Sequence, residues 1–161
     1  MKKDRIECPE CGAEIDVHRN PFPTADCLIS MTTDDGREGL VLIERRNEPH
    51  GWALPGGFVD YGESVPDAVR REMHEETGLE LDDLTLFGVY SDPARDPRFH
   101  TIATVFAARG RGELQAGDDA AEAVVFPLDE LPPVEEIVFD HGLIITDWLG
   151  ARKNAGTGGD A

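Results

Sequence analysis

The spacing of apolar residues changes period several times along the chain, and each change marks an element. Residues 24–33 are rich in alternating apolar side chains, Asp34-Asp35-Gly36 is a turn signal, and residues 39–44 (GLVLIE) are apolar again, which predicts an opening β-hairpin. Trp52-Ala53-Leu54 predicts a short strand running into Pro55-Gly56-Gly57, where paired glycines let the backbone approach a neighbouring group closely. The period then becomes helical. Val65, Ala68, Val69 and Met73 share one face, Ser64 can cap the start and Gly78 can close the end in a left-handed conformation, so a helix is predicted over residues 65–77. Residues 84–90, 101–108 and 123–128 read as further strands, residues 139–149 as a closing amphipathic helix, and residues 153–161 (KNAGTGGDA) as a disordered tail. This order predicts an α/β protein, a mixed β-sheet sandwiched between helices (α/β/α).

The helix over 65–77 carries more than a core face. At about 100° per residue, Glu75 and Glu76 lie roughly 60° to one side and 40° to the other of Glu72, so three carboxylates share one stripe. A solvated face usually interleaves bases at i,i+4, and here the only helical bases are Arg70 and Arg71. An all-oxygen donor set of this kind suits a hard divalent cation, Mg²⁺ with Mn²⁺ as substitute. Taken alone, the stripe reads equally as an acidic exposed helix.

It does not stand alone. Gly57, Glu63, Arg71, Glu72, Met73, Glu75, Glu76, Gly78 and Leu79 follow the spacing Gly-x5-Glu-x7-Arg-Glu-apolar-x-Glu-Glu-x-Gly-apolar, and in this the chain resembles the Nudix hydrolases. The resemblance, which extends over roughly residues 20–150, implies the Nudix fold and a metal-assisted hydrolysis of a nucleoside diphosphate linked to another group. It makes Glu72, Glu75 and Glu76 metal ligands together with the backbone carbonyl of Gly56. Gly57, Glu63 and Arg71 then support the site, Arg71 by pairing with a carboxylate. A further ligand or base is expected just before a later strand, with Glu122 the first choice and Asp119 the second. Glu72, Glu76 and Glu122 are the catalytic candidates, and Glu72 and Glu122 both compete for the role of general base.

Substrate class must come from outside the motif. Residues 90–100 (YSDPARDPRFH) form a loop with two prolines fixing its shape and with Arg95, Arg98 and His100 able to hold phosphate or ribose. Pro93 lies fifteen residues past Gly78, a proline that Nudix enzymes acting on ADP-ribose carry, and the segment is similar to that of archaeal-type ADP-ribose pyrophosphatases. The Ser-Gln-Pro-Trp-Pro-Phe-Pro run of NADH-cleaving relatives is absent. Arg45 and Arg46 are further candidates to clamp phosphate, or plain exposed strand ends, and Trp52 reads as core. The expected reaction is cleavage of ADP-ribose to AMP and ribose 5-phosphate. A nucleoside triphosphate pyrophosphohydrolase is the alternative enzyme, and a non-catalytic sensor of a nucleotide metabolite the alternative class.

Composition narrows the setting. The 161 residues, 40% hydrophobic, are enough for one core, and no apolar run approaches the ~18 residues of a membrane span. No apolar stretch follows Lys2 and Lys3, so a secretory signal is not expected and a cytoplasmic location is. Acidic residues outnumber basic ones 33 to 15, for a net charge of −18, with lysine only at 2, 3 and 153. Such a surface disfavours nucleic acid and anionic membranes as partners. It also suggests adaptation to a salt-rich cytoplasm, since at ~1 M salt charges are screened within ~3 Å; ordinary acidity is the plain alternative.

Cys8-Pro-Glu-Cys11-Gly is half of a zinc knuckle, and the second cysteine pair is missing. With residues 18–23 resembling the stretch after the zinc ribbon in ribbon-bearing Nudix proteins, residues 1–20 read as a truncated ribbon ahead of a Nudix domain at 21–152. A metal-free knuckle is favoured over a zinc held by Cys8 and Cys11, which would need His18 or the second subunit of a homodimer to complete it. Cys27, within the first strand, reads as core.

Overall fold

The computed structural model describes residues 3–117 and 120–156. In chain order the elements are β1 (Lys3–Glu7), β2 (Glu14–His18), β3 (Phe22–Thr32), β4 (Glu38–Arg45), β5 (Trp52–Ala53), β6 (Gly56–Phe58), α1 (Val65–Thr77), β7 (Glu80–Tyr90), β8 (Thr101–Arg111), β9 (Ala120–Pro127), a 3₁₀ turn (Val134–Glu136) and α2 (His141–Gly156). β1 and β2 pair antiparallel with each other alone, while the remaining seven strands form one mixed sheet whose long path runs β5-β4-β3-β8-β7.

Alternation along the central strands divides the core between the two faces of this sheet. Cys27 and Ile29 of β3 and Val41 of β4 pack with Ala68, Val69 and Met73 of α1. The intervening Leu28, Leu40 and Leu42 pack with Ile144, Ile145 and Trp148 of α2. Because both faces of these strands are covered, their alternation separates one buried layer from another, and the α/β/α arrangement follows. Among the described residues no helix is long and apolar enough to cross a membrane.

One edge of β3 is shared between two partners, and this positions the site. Ser30–Thr32 pair with β4, whereas Thr24–Asp26 pair with β6, and between them Cys27 N–H donates to the Pro55 carbonyl. β4 diverges from β3 to pair with β9 and β5. A fork therefore opens between β4 and β6, with α1 packed on one side and the start of α2 on the other.

α1 keeps its expected bounds: Ser64 has extended backbone and its side chain accepts from Asp67 N–H, while Gly78 closes the helix with φ 69°. The C-terminal expectation needs correction. Phe139 has φ 59° and cannot start a helix; α2 begins at His141 and continues through residues 153–156, where a tail was expected. Arg152 pairs with Glu38 at 2.6 Å and lies over the Trp148 ring, which anchors the last turns to the body. Residues 157–161 lie outside the described residues. Residues 56–58, read as loop, form a short strand on β3, and residues 3–18, read as part of a truncated ribbon, form a two-stranded hairpin.

Candidate active site

The paired glycines are required by close approach. A Cβ at Gly57 would lie 2.3 Å from the Glu72 carboxylate, and one at Gly56 would lie 2.3 Å from Asp26 Oδ1 and 2.6 Å from the Ala25 carbonyl oxygen. The Gly56 N–H in turn donates to Glu76 Oε2 at 2.8 Å. The motif turn is thus clasped between β3 and the acidic face of α1.

Arg71 fixes that face. Its guanidinium donates twice to Glu63, at 3.0 Å each, to Glu72 at 2.8 Å, to Glu75 at 3.2 Å and to the Phe58 carbonyl at 3.1 Å. Ala68, Val69, Met73 and Thr77 are buried alongside that stripe, so the helix cannot rotate to turn its carboxylates away.

The fork encloses a cleft of about 420 Å³, lined by Asp26, Arg45, Glu72, Glu76, Arg98 and His141 among others. Burial pushes the Glu76 carboxyl up to about 8 against the Gly56 N–H that favours its charge, and burial also raises Glu72 despite Arg71. Asp26, 6% exposed, is raised to about 7 by burial, with Arg95 opposing. Its Oδ2 is buried without a hydrogen-bond partner, 3.6 Å from Arg95 and 3.8 Å from His141 Nε2. His141 Nδ1 accepts from the Leu54 N–H at 2.9 Å, which places the ring hydrogen of the neutral form on Nε2, facing Asp26. Burial, reinforced by Arg95 and Arg45, lowers His141 to about 3, so the ring is neutral.

The far wall is basic and aromatic. Arg98 pairs with Asp96 through two bonds of 3.0 and 2.9 Å, and both Arg98 and Arg45 lie 5.0 Å from the centroid of the Phe139 ring. The positive φ of Phe139, costly for a bulky residue, is held by this stacking and by contact with the His141 ring.

Matched against known families, residues 21–148 fit the NUDIX domain. The chain belongs to the Nudix family. It is 51% identical over 113 residues to an ADP-ribose pyrophosphatase of Methanocaldococcus jannaschii, an alignment covering 68% of this chain and 65% of that one. A bifunctional NMN adenylyltransferase/ADP ribose pyrophosphatase of Francisella tularensis, solved with AMP and a manganese ion, is similar with a TM-score of 0.67 and 26% identity over 83% of this chain and 42% of its own. The Nudix domain of Shewanella oneidensis NrtR, solved with ADP ribose, shares the fold with a TM-score of 0.74 and 23% identity, covering 86% of this chain and 90% of that one.

Within the Nudix motif, Gly56, Gly57, Glu72 and Glu76 line the cleft, while Glu63 and Arg71 stand behind it as a hydrogen-bonded pair. Glu75 is exposed at the rim, turned to Arg71. Outside the motif the expectations divide. Arg45 and Arg98 line the cleft; Arg46 is exposed and not among the lining residues. Arg95 lines it but is buried, bonded to Asp140 and Thr101, so it acts first as internal counter-charge. His100 is exposed and faces a separate hollow beside Pro21 and Phe22. Glu122 does not line the cleft: the regular β4–β9 register sets it opposite Glu44, just before the bulge at Ala121, with both side chains exposed. Asp119 lies outside the described residues; the loop before it docks on α1 through the Gly117 N–H to the Glu76 carbonyl. Cys8 and Cys11 lie in the hairpin turn, well away in sequence and sheet from the cleft.

Asp26, Asp140, His141 and Phe139 were not anticipated. Asp26 carried a signal, as the one charged residue in the apolar run 24–33. The others carried none. Among the described residues no three His, Cys, Asp or Glu side chains are already gathered as a metal nest, since Arg71 draws Glu72 and Glu75 and Gly56 draws Glu76. The donors nevertheless fit a hard divalent ion: buried carboxylates that resist ionisation without a cation, an orphaned Asp26 oxygen, and a glycine cradle in which no side chain fits.

Proposed function

We propose that this Nudix protein is a metal-dependent hydrolase that cleaves the diphosphate bond of ADP-ribose, giving AMP and ribose 5-phosphate. The observation that carries the reading is the opposition, across one small cleft, of Glu72 and Glu76 to Arg45 and Arg98. A diphosphate needs cationic contacts on one side and, on the other, carboxylates able to bring in further positive charge. The cleft volume is within the range of small-ligand sites. The 51% identity to a protein named as an ADP-ribose pyrophosphatase supports the substrate. This chain spans 65% of that relative's length, so the activity rests on the site.

Glu72 and Glu76, with Gly56, would hold the ion, Mg²⁺ or Mn²⁺ in its place. When bound, it supplies neutralisation of the diphosphate charge and a more acidic water. The protein's own contribution is positioning. Arg71 orients Glu72, and the Gly56 N–H orients Glu76. Arg45 and Arg98, stiffened by the Phe139 ring between them, face the substrate's phosphates. Glu72 remains the candidate general base, a half-buried carboxylate lining the cleft. The acidic surface we read as an adaptation to high salt.

The test is a panel of nucleotides incubated with the protein and Mg²⁺, with product analysis. ADP-ribose should yield AMP and ribose 5-phosphate. Arg98→Ala should lower kcat/KM for ADP-ribose by about 10- to 100-fold, the effect of one charge-assisted hydrogen bond. A wild-type preference for triphosphates would overturn the substrate.

A further inference from the structure

The hairpin β1–β2 has no part in the cleft, and its construction is incomplete in a single chain. Its strands pair only with each other, an arrangement that is marginal in water. Ile6 and Ile15, opposite one another in the register, are 51% and 43% exposed. The turn between the strands is tightly built: Cys8 N–H donates to the Ala13 carbonyl, Gly12 N–H donates to the Cys8 carbonyl, and Gly12 takes a φ of 71°. This fold brings the Cys11 thiol within hydrogen-bonding reach of the Cys8 sulfur and directs the N–H groups of Glu10 and Cys11 at it.

Two adjacent thiols are half of a tetrahedral zinc site. The described residues of the same chain do not supply the other half. Among the described residues no third His, Cys, Asp or Glu joins them in a group able to hold a metal ion. Cys27 is fully buried in the core. His18 pairs with Lys3 at the far end of the hairpin, four residue steps from the Glu7–Glu14 pair beside the turn. At strand rise that is about 13 Å, beyond reach of a shared ion.

Charge indicates where two copies could meet. Residues 1–20 hold four basic and five acidic residues, against eleven and twenty-eight in residues 21–161. The hairpin is the near-neutral part of a strongly anionic chain, so contact there meets the least repulsion. It also exposes the Ile6–Ile15 pair, which a second hairpin would cover.

We propose that Cys8 and Cys11 of two copies together bind one zinc ion, in a four-cysteine site that joins the chains hairpin to hairpin. Four thiols release four protons as the ion binds, and its charge offsets two of the four thiolates.

The experiment uses the full chain, purified reduced at about 2 M KCl to screen repulsion, then stripped with chelator and reloaded with ZnCl₂. Metal per chain is measured after gel filtration, and mass by light scattering. The expected result is one zinc per two chains at twice the 17.6 kDa chain mass, with reversion to monomer on chelation. Cobalt in place of zinc should give the visible spectrum of a tetrahedral all-thiolate site. Cys8→Ser and Cys11→Ser should each lose metal and dimer while keeping the melting temperature of the main domain and its hydrolysis. A chain that binds no zinc, one zinc per monomer, or a dimer that survives chelation or the serine changes overturns the proposal.

Discussion

Adding one methyl group at each of the paired glycines separates geometry from stability. At Gly57 the three atoms nearest the new Cβ all belong to the Glu72 carboxylate, at 2.3 to 2.4 Å, the far end of a flexible side chain that can swing aside. Glu72 would then leave Arg71, whose bond to it is 2.8 Å. Losing that charged hydrogen bond costs about 1.5 to 3 kcal/mol, and the reduced freedom of the unfolded chain returns about 0.4 to 1. The net loss should therefore be about 0.5 to 2.6 kcal/mol, with the fold intact. At Gly56 the Cβ also meets the Ala25 carbonyl oxygen at 2.6 Å and Asp26 Cα at 2.8 Å, both backbone of β3. The β3–β6 pairing must shift to admit it, and overpacking of that kind costs about 1 to 3 kcal/mol or more on its own. Gly57→Ala should thus melt close to wild type yet lose about 10²- to 10⁴-fold in kcat, the scale of displacing one essential group. Gly56→Ala should lose stability as well as activity. Melting curves and steady-state hydrolysis of ADP-ribose in Mg²⁺ measure both. If Gly57→Ala keeps more than half of kcat, or destabilises more than Gly56→Ala, the placement of Glu72 against the glycine turn is wrong.

Glu76→Gln keeps an acceptor for the Gly56 N–H but removes the charge, so turnover should fall by about 10²- to 10⁴-fold while the melting temperature holds; retention of more than half the activity at saturating Mg²⁺ sinks the assignment. His141 is held near 3 in the fold against 6.5 when free, so below pH 6.5 the unfolded chain takes up a proton that the fold cannot, and stability declines as pH falls from 6.5 towards 3. By about pH 5 that contribution is on the order of 2 kcal/mol; Asp26, raised towards 7, works in the opposite direction, so the readout is the pH-dependent part of the difference between wild type and His141→Gln, which should be absent at neutral pH and grow in the variant's favour on acidification, on top of the constant cost of replacing a buried ring bonded to the Leu54 N–H. Melting temperature should rise steadily from about 0.1 to 2 M KCl as carboxylate repulsion is screened, and a flat or falling trend would mark the acidity as ordinary.

What the sequence determined by itself was local. Ser64, Gly78 and the 3.6-residue spacing of Val69 and Met73 are neighbours along one helix, and the caps and buried face act within that stretch whatever surrounds it. The acidic stripe was legible for the same reason, since helical geometry alone puts Glu72 and Glu76 side by side. The glycine pair also announced a close approach. Tertiary structure decided what the glycines approach, and which charged groups share the cleft. Asp26 comes from β3, Arg45 from β4, Arg98 from the loop after β7 and His141 from the start of α2, and only the division of β3's edge between β4 and β6 brings them together. Arg95 and Arg98 are alike in sequence, yet one is buried against Asp140 and the other faces the cleft, because burial is set by what packs above a residue. Glu122 shows the converse limit: with a side-chain period of two, the register of β9 on β4, which one sequence does not reveal, decides whether a carboxylate enters a site or faces solvent.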